Sequence, residues 1–132
     1  MRIFIDTSSL YALLDRTDEN HLKAKREWNQ ILDEDYTLVA SNYILVETLA
    51  LLQNRLGMEA VRGFQEDVFP MLYVEFITPK IHRLGTSALL SSSRRRLSLV
   101  DCVSFEVMRE TRIRKVFAFD PHFKEQGFEV VP

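Results

Sequence analysis

The sequence predicts an α/β protein: a three-layer sandwich in which a central parallel sheet is covered by helices on both faces. Two observations predict it. Strand-like and helix-like segments alternate along the chain, the order that builds a parallel sheet. The first strand-like segment, Ile3-Phe4-Ile5, is a continuous apolar run, as expected of a strand buried on both faces.

The elements follow in order. Asp6-Thr7-Ser8-Ser9 ends the first strand with polar, helix-starting residues, and Leu10, Leu13 and Leu14 then recur at helical spacing. Residues 21–32 form a second helix with Leu22, Trp28, Ile31 and Leu32 on its apolar side. Residues 37–40 are a second strand. Ser41-Asn42 opens a helix carrying Leu45, Leu49, Leu52 and Leu56, and Gly57 ends it. Residues 58–67 are helical, and residues 72–76 form a third strand. A helix over residues 79–92 leads into a loop at Arg94-Arg95-Arg96. Ser98 caps a long helix through about Arg112. Residues 116–119 are a fourth strand ended by Asp120-Pro121, and residues 128–131 are the last strand.

The chain has 132 residues, one domain's length, spanning 1–132 without a repeat or a Pro- or Gly-rich linker. Apolar residues make up 46% and charged residues 27%, a composition that excludes a disordered or membrane-spanning chain. With one cysteine, Cys102, no internal disulfide can form, and the opening MRIFID is too short for a signal peptide; a reducing, cytoplasmic compartment is expected. Neither GxGxxG nor GxxxxGK occurs, so no nucleotide-cradling loop is expected. The net charge of -2 is unlike most nucleic-acid binders, but a site made of carboxylates adds negative charge by itself.

Four acids stand out by position. Asp6 ends the first strand and Asp120 the fourth. Glu47 lies in the first turns of the helix after the second strand, and Asp101 in the first turn of the helix capped by Ser98. In a parallel α/β sheet, strand carboxyl ends and the amino ends of following helices share one edge, where ligands bind. Each acid also has a plain reading. Asp6 caps a helix, Asp101 completes an S-x-x-D capping box, Asp120 opens a turn, and Glu47 is a solvated helix residue. Together on one edge they point to a site. Four close carboxylates repel and raise one another's pKa, and a hard divalent cation removes that cost. The chemistry suited to such a site is metal-assisted phosphodiester hydrolysis.

At these residues the sequence resembles a PIN domain, and specifically the stand-alone VapC toxins of toxin–antitoxin pairs. IFIDTSSLYALLD resembles the family's first motif and DENH (Asp18 to His21) its D-x-x-H. SNYILVETL resembles the glutamate-bearing segment, LSLVDCVSF the third acidic motif, and VFAFDPHF the fourth. Ala118 departs from the Thr or Ser of many relatives. The resemblance implies an α/β/α sandwich and a Mg²⁺- or Mn²⁺-dependent endoribonuclease. Asp6, Glu47, Asp101 and Asp120 would line the metal site, Asp6 and Asp101 as primary ligands. It also implies a homodimer masked by a VapB-like antitoxin. Thr7, Ser8 and Ser41 are candidates to hydrogen-bond the carboxylates or a phosphate.

Among basic residues, Arg94, Arg95 and Arg96 lie just before the Asp101 helix and are candidates to guide RNA; Arg109, Arg112, Arg114 and Lys115 are further candidates for phosphate contacts. His21, at a helix start, is expected to make a structural hydrogen bond, and neither His82 nor His122 has a spacing that suggests a metal site. A non-catalytic PIN module binding RNA or protein is the alternative. A dehalogenase-type phosphatase requires D-x-D, but Ser8 stands two residues after Asp6. A receiver domain typically places adjacent acids at that strand end.

Overall fold

The computed structural model describes all 132 residues. Five strands form one parallel sheet: β1 (Arg2–Ile5), β2 (Thr37–Ser41), β3 (Leu72–Glu75), β4 (Lys115–Phe117) and β5 (Glu129–Val131). Their order across the sheet is β3-β2-β1-β4-β5, every neighbouring pair parallel. The chain therefore steps outward from β1 to β3, then returns to the other side of β1. With right-handed crossovers, the helices before β3 cover one face and those after it the other. The order reverses between β1 and β4, the place where open α/β sheets bind ligands.

The helices are α1 (Thr7–Leu14), α2 (His21–Asp33), α3 (Asn42–Arg55), α4 (Met58–Gly63), α5 (Pro79–Ser92), α6 (Leu99–Thr111) and α7 (His122–Glu125). Ile3, Phe4 and Ile5 are completely buried. Each such side chain contributes roughly 1.5–3 kcal/mol by leaving water, so β1 is firmly seated in the core. Asp6, the next residue, inherits that fixed position.

Several boundaries differ from the sequence reading for physical reasons. The helix expected over 58–67 widens into a π turn at Phe64–Val68, then a 3₁₀ turn at Phe69–Met71; Pro70 has no N–H with which to continue it. β4 stops at Phe117, because the Phe119 N–H leaves the sheet for the Ser8 hydroxyl, 2.9 Å away. α7, absent from the sequence reading, follows Pro121. Gly57 does end α3, at a φ of 91° that suits glycine, and its N–H bonds the Leu52 carbonyl.

Gly85 sets the contact between α5 and α6. A Cβ built there would lie 2.5 Å from Val103 Cγ2 and 3.2 Å from the Val103 backbone. Only glycine lets α5 lie this close to the helix that carries Asp101.

Candidate active site

Asp6 caps α1. Its Oδ2 accepts from the Ser8 N–H at 3.1 Å and the Ser8 hydroxyl at 2.6 Å. The Ser8 oxygen in turn accepts from Phe119 N–H, so one hydroxyl ties the end of β1 to the segment leading to Asp120. Asp101 makes a full capping box: its N–H donates to Ser98 Oγ, and its Oδ2 accepts from the Ser98 N–H, both at 3.0 Å. Asp120 Oδ1 accepts from the His122 N–H at 2.9 Å. Each aspartate thus uses one oxygen to hold its position, and these bonds leave Asp6 Oδ1, Asp101 Oδ1 and Asp120 Oδ2 for a ligand.

The three aspartates and Glu47 share one field. Burial pushes the Asp6 carboxyl up to about 7; the Ser8 bonds oppose this, and the charges of Asp101 and Asp120 reinforce it. Asp101 is also raised, first by burial, and further by Asp120 and Glu47. Glu47 is half-buried on α3, whose next residue, Thr48, is fully buried and donates to the Thr7 hydroxyl at 3.3 Å. That bond links the helices that follow Asp6 and carry Glu47.

His122 joins the cluster. Its Nδ1 lies 2.9 Å from Asp120 Oδ1 and 3.9 Å from Asp101 Oδ2. The nearer approach has hydrogen-bond length without hydrogen-bond direction, and the buried Nδ1 has no partner. Asp101, Asp120 and His122 present ligand atoms within 4.8 Å of one another. An unpaired buried nitrogen costs free energy unless something accepts its lone pair or its proton. Free carboxylate oxygens, mutual repulsion and an orphaned imidazole nitrogen together fit a divalent cation.

His122 is held by an aromatic cluster. Phe123, fully buried in α7, meets Phe105 of α6 edge-on at 5.1 Å, and Phe128 stacks on Phe105 at 6.1 Å. Such pairs add about 0.5–1.5 kcal/mol beyond burial. They clamp the Asp101 helix to the His122 helix. The expectation that His122 has no metal-site spacing is corrected by this geometry. The available signal was its place two residues after Asp120, in a turn the Asp120 side chain closes.

The remaining candidates separate. Ser8 reaches a carboxylate. Thr7 bonds Thr48 instead, and Ser41 caps α3 by accepting from Ile44 N–H at 3.1 Å. Arg94 is paired with Glu125 of α7 at 2.9 Å, while Arg95 and Arg96 are exposed and unpaired. His21 Nδ1 lies 2.8 Å from the Ala12 carbonyl, a structural contact. Arg112, Arg114 and Lys115 lie at the amino end of β4, the opposite edge of the sheet from the acids.

Comparison with known proteins identifies the family. The PIN domain model matches residues 3–129. The chain is 36% identical over 132 residues to the 23S rRNA-specific endonuclease VapC20 of Mycobacterium tuberculosis, in strains H37Rv and CDC 1551, covering 98% of each chain. The crystal structure of that organism's VapC20, described as a sarcin–ricin loop cleaving toxin, has a TM-score of 0.87 at 34% identity, over 98% of this chain and 99% of that one. FitAcB from Neisseria gonorrhoeae, at 12% identity and a TM-score of 0.71 over 98% of this chain and 96% of that one, shares the fold. From its acidic edge, its sheet order and these matches, the chain belongs to the PIN domain family and is of the VapC type.

Proposed function

We propose that this protein is a divalent-metal-dependent endoribonuclease, the toxin of a VapBC-type pair, that cuts a ribosomal RNA loop. One observation carries the reading. Asp101 of α6 and Asp120 and His122 of the β4–α7 turn bring ligand atoms within 4.8 Å of one another, the charges of Asp101 and Asp120 reach the buried Asp6 at the end of β1, and that of Glu47 on α3 reaches Asp101. The names of the similar proteins supply the substrate class: large-subunit ribosomal RNA and its sarcin–ricin loop.

Asp6, Asp101 and Asp120 would hold Mg²⁺ or Mn²⁺ through the oxygens their positioning bonds leave free, with His122 Nδ1 beside Asp120. When bound, the cation supplies Lewis-acid stabilisation of charge on the phosphate oxygens. Glu47, half-buried and less constrained, orients the attacking water and takes its proton. Ser8 keeps the Asp6 carboxylate aligned with the β4 end. Arg95 and Arg96, exposed at the loop before α6, draw RNA phosphates toward the cleft. A homodimer, a VapB-like antitoxin covering the acids, and a cytoplasmic setting belong to the same reading. No helix of the chain is long and apolar enough to cross a membrane.

The test is incubation of ribosomes and of naked ribosomal RNA with purified protein in Mg²⁺, Mn²⁺ or chelator, beside Asp6→Asn, with cut ends mapped by primer extension. The reading expects one dominant metal-dependent cut in large-subunit RNA, lost in the variant. Intact RNA in every condition, from folded protein free of antitoxin, would overturn it.

A further inference from the structure

We propose that a groove along the β5 edge, running from Asp120 past Phe128 to Arg112 and Arg114, binds the backbone of the RNA strand flanking the cut. The inference rests on the endoribonuclease reading and extends it to a second contact on the substrate.

Two clefts lie on this side of the molecule. One, of about 480 Å³, opens at Asp120 and contains Phe119, Lys124 and Phe128. The other, of about 540 Å³, contains Phe128, Arg109, Arg112 and Arg114. Phe128 lines both, so the two clefts adjoin at its ring and together lead from Asp120 toward the opposite edge of the sheet.

The path carries the charge a nucleic-acid backbone needs. Lys124, Arg112 and Arg114 are exposed and make no ion pair or side-chain hydrogen bond within the protein. In a chain of net charge -2, three free cations along one groove are a local excess. The sequence around them explains their direction. Ile113 is buried between Arg112 and Arg114, which are exposed and line the cleft. Arg109 lies over the Phe128 ring at 5.5 Å and is tied to Gln126 at 2.7 Å, which holds the ring that the two clefts share. The acid of the groove other than Asp120 is Glu129, which is paired with Lys115 at 3.9 Å.

Distance assigns the role. β4 runs from Lys115 to Phe117, with Arg112 and Arg114 before its amino end and Asp120 after its carboxyl end. Arg112 and Arg114 therefore lie at the other end of β4 from the acids that face the scissile phosphate. They can grip only phosphates further along the strand. Continuity favours RNA over an acidic protein as the occupant: the groove begins at the reacting site, so what fills it is joined to what is cut. Aromatic rings flanked by unpaired cations are also the surface that single strands bind.

The experiment compares wild type with Arg112→Asn/Arg114→Gln, asparagine being chosen because Arg112 sits at a left-handed φ of 59°. Two RNAs are used: a minimal hairpin holding the cut site, and the same hairpin with single-stranded flanks. Affinity is read by fluorescence anisotropy in chelator across a salt series, and cleavage is read separately in Mn²⁺. We expect the double variant to lose about 10-fold or more in affinity for the flanked RNA. Its salt slope should fall by about 1.4, two contacts at about 0.7 each for a single strand. Cleavage of the minimal hairpin should match wild type, and a melting curve should show an intact fold. Lys124→Gln should give a smaller loss of the same kind. Equal affinity and equal salt slope on the flanked RNA would overturn the groove, and so would an equal loss on both RNAs. Loss of binding to an acidic polypeptide with RNA binding intact would also overturn it. Failure of wild type to cleave either RNA would instead strike the endoribonuclease reading, while the anisotropy would still decide the groove.

Discussion

At the carboxyl edge of the sheet the clustered groups are acids sheltered from solvent: Asp6 is 3% exposed and Asp101 8%, and Asp120 and Glu47 are half-buried. At the amino edge they are basic, long and exposed, Arg2, Arg112 and Arg114 among them. The acids are fixed by backbone N–H groups that fold them into helix caps and turns. The two unpaired arginines, Arg112 and Arg114, are held by nothing but their own backbone. A sheltered carboxylate cluster stores repulsion that a bound cation would relieve, so changes there should alter both chemistry and stability. Exposed arginines act through a screened field, so changes there alter affinity and its salt dependence and little else.

The largest expected effect comes from breaking the acidic edge directly. Asp101→Asn keeps a side-chain oxygen for the Ser98 N–H but removes the charge. Residues that merely orient metal ligands typically cost about 10–100-fold when changed. Loss of a ligand should cost more than about 100-fold in cleavage rate with the melting temperature retained. Activity within a few-fold of wild type would place the cluster outside the chemistry.

Next is the pH dependence of stability without metal. The Asp6 carboxyl is raised from 3.8 to about 7 in the folded protein. Between these values the native state holds a proton that the unfolded chain has released. Stability should therefore be highest below pH 4 as far as this group is concerned, and fall by a few kcal/mol as pH rises to about 7. Asp101, raised in the same direction, adds to the fall. Asp6→Asn should flatten the curve; urea unfolding at a series of pH values reads it.

Gly85→Ala disturbs the same edge without touching a charge. The new methyl must push α5 away from Val103, two residues from Asp101. The expected loss is about 1–3 kcal/mol in urea unfolding, with reduced cleavage in the surviving folded protein. The smallest effect belongs to Thr48→Val, which deletes the bond to Thr7 between α1 and α3. About 1 kcal/mol of stability should go, with a modest loss of rate from a less firmly placed Glu47.

Much of this was legible in the sequence because strand ends and helix starts announce themselves. Asp6 follows an apolar run and Ser98 opens a capping box, so both acids fall on the edge that parallel topology makes common. The plain and functional readings of Asp101 did not compete: one oxygen makes the cap and the other is free. His122 was hidden because α7, at four residues, is too short to show periodicity. What holds it is Phe123 on Phe105, a contact between residues distant in sequence. The separation of Arg112 and Arg114 from the acids was equally hidden; the loop Arg94-Arg95-Arg96 and the pair Arg112/Arg114 look alike as composition, and only the sheet puts them on different edges.

The central claim is that the acidic edge is built for a divalent cation. The most direct measurement is the melting temperature at pH 8 as Mn²⁺ or Mg²⁺ is raised to millimolar concentration, in wild type and Asp6→Asn. The wild-type melting temperature should rise through preferential binding to the folded state. The variant should start higher, freed of repulsion, and respond little. A wild-type melting temperature indifferent to both ions, with Asp6→Asn no more stable than its parent, would contradict it.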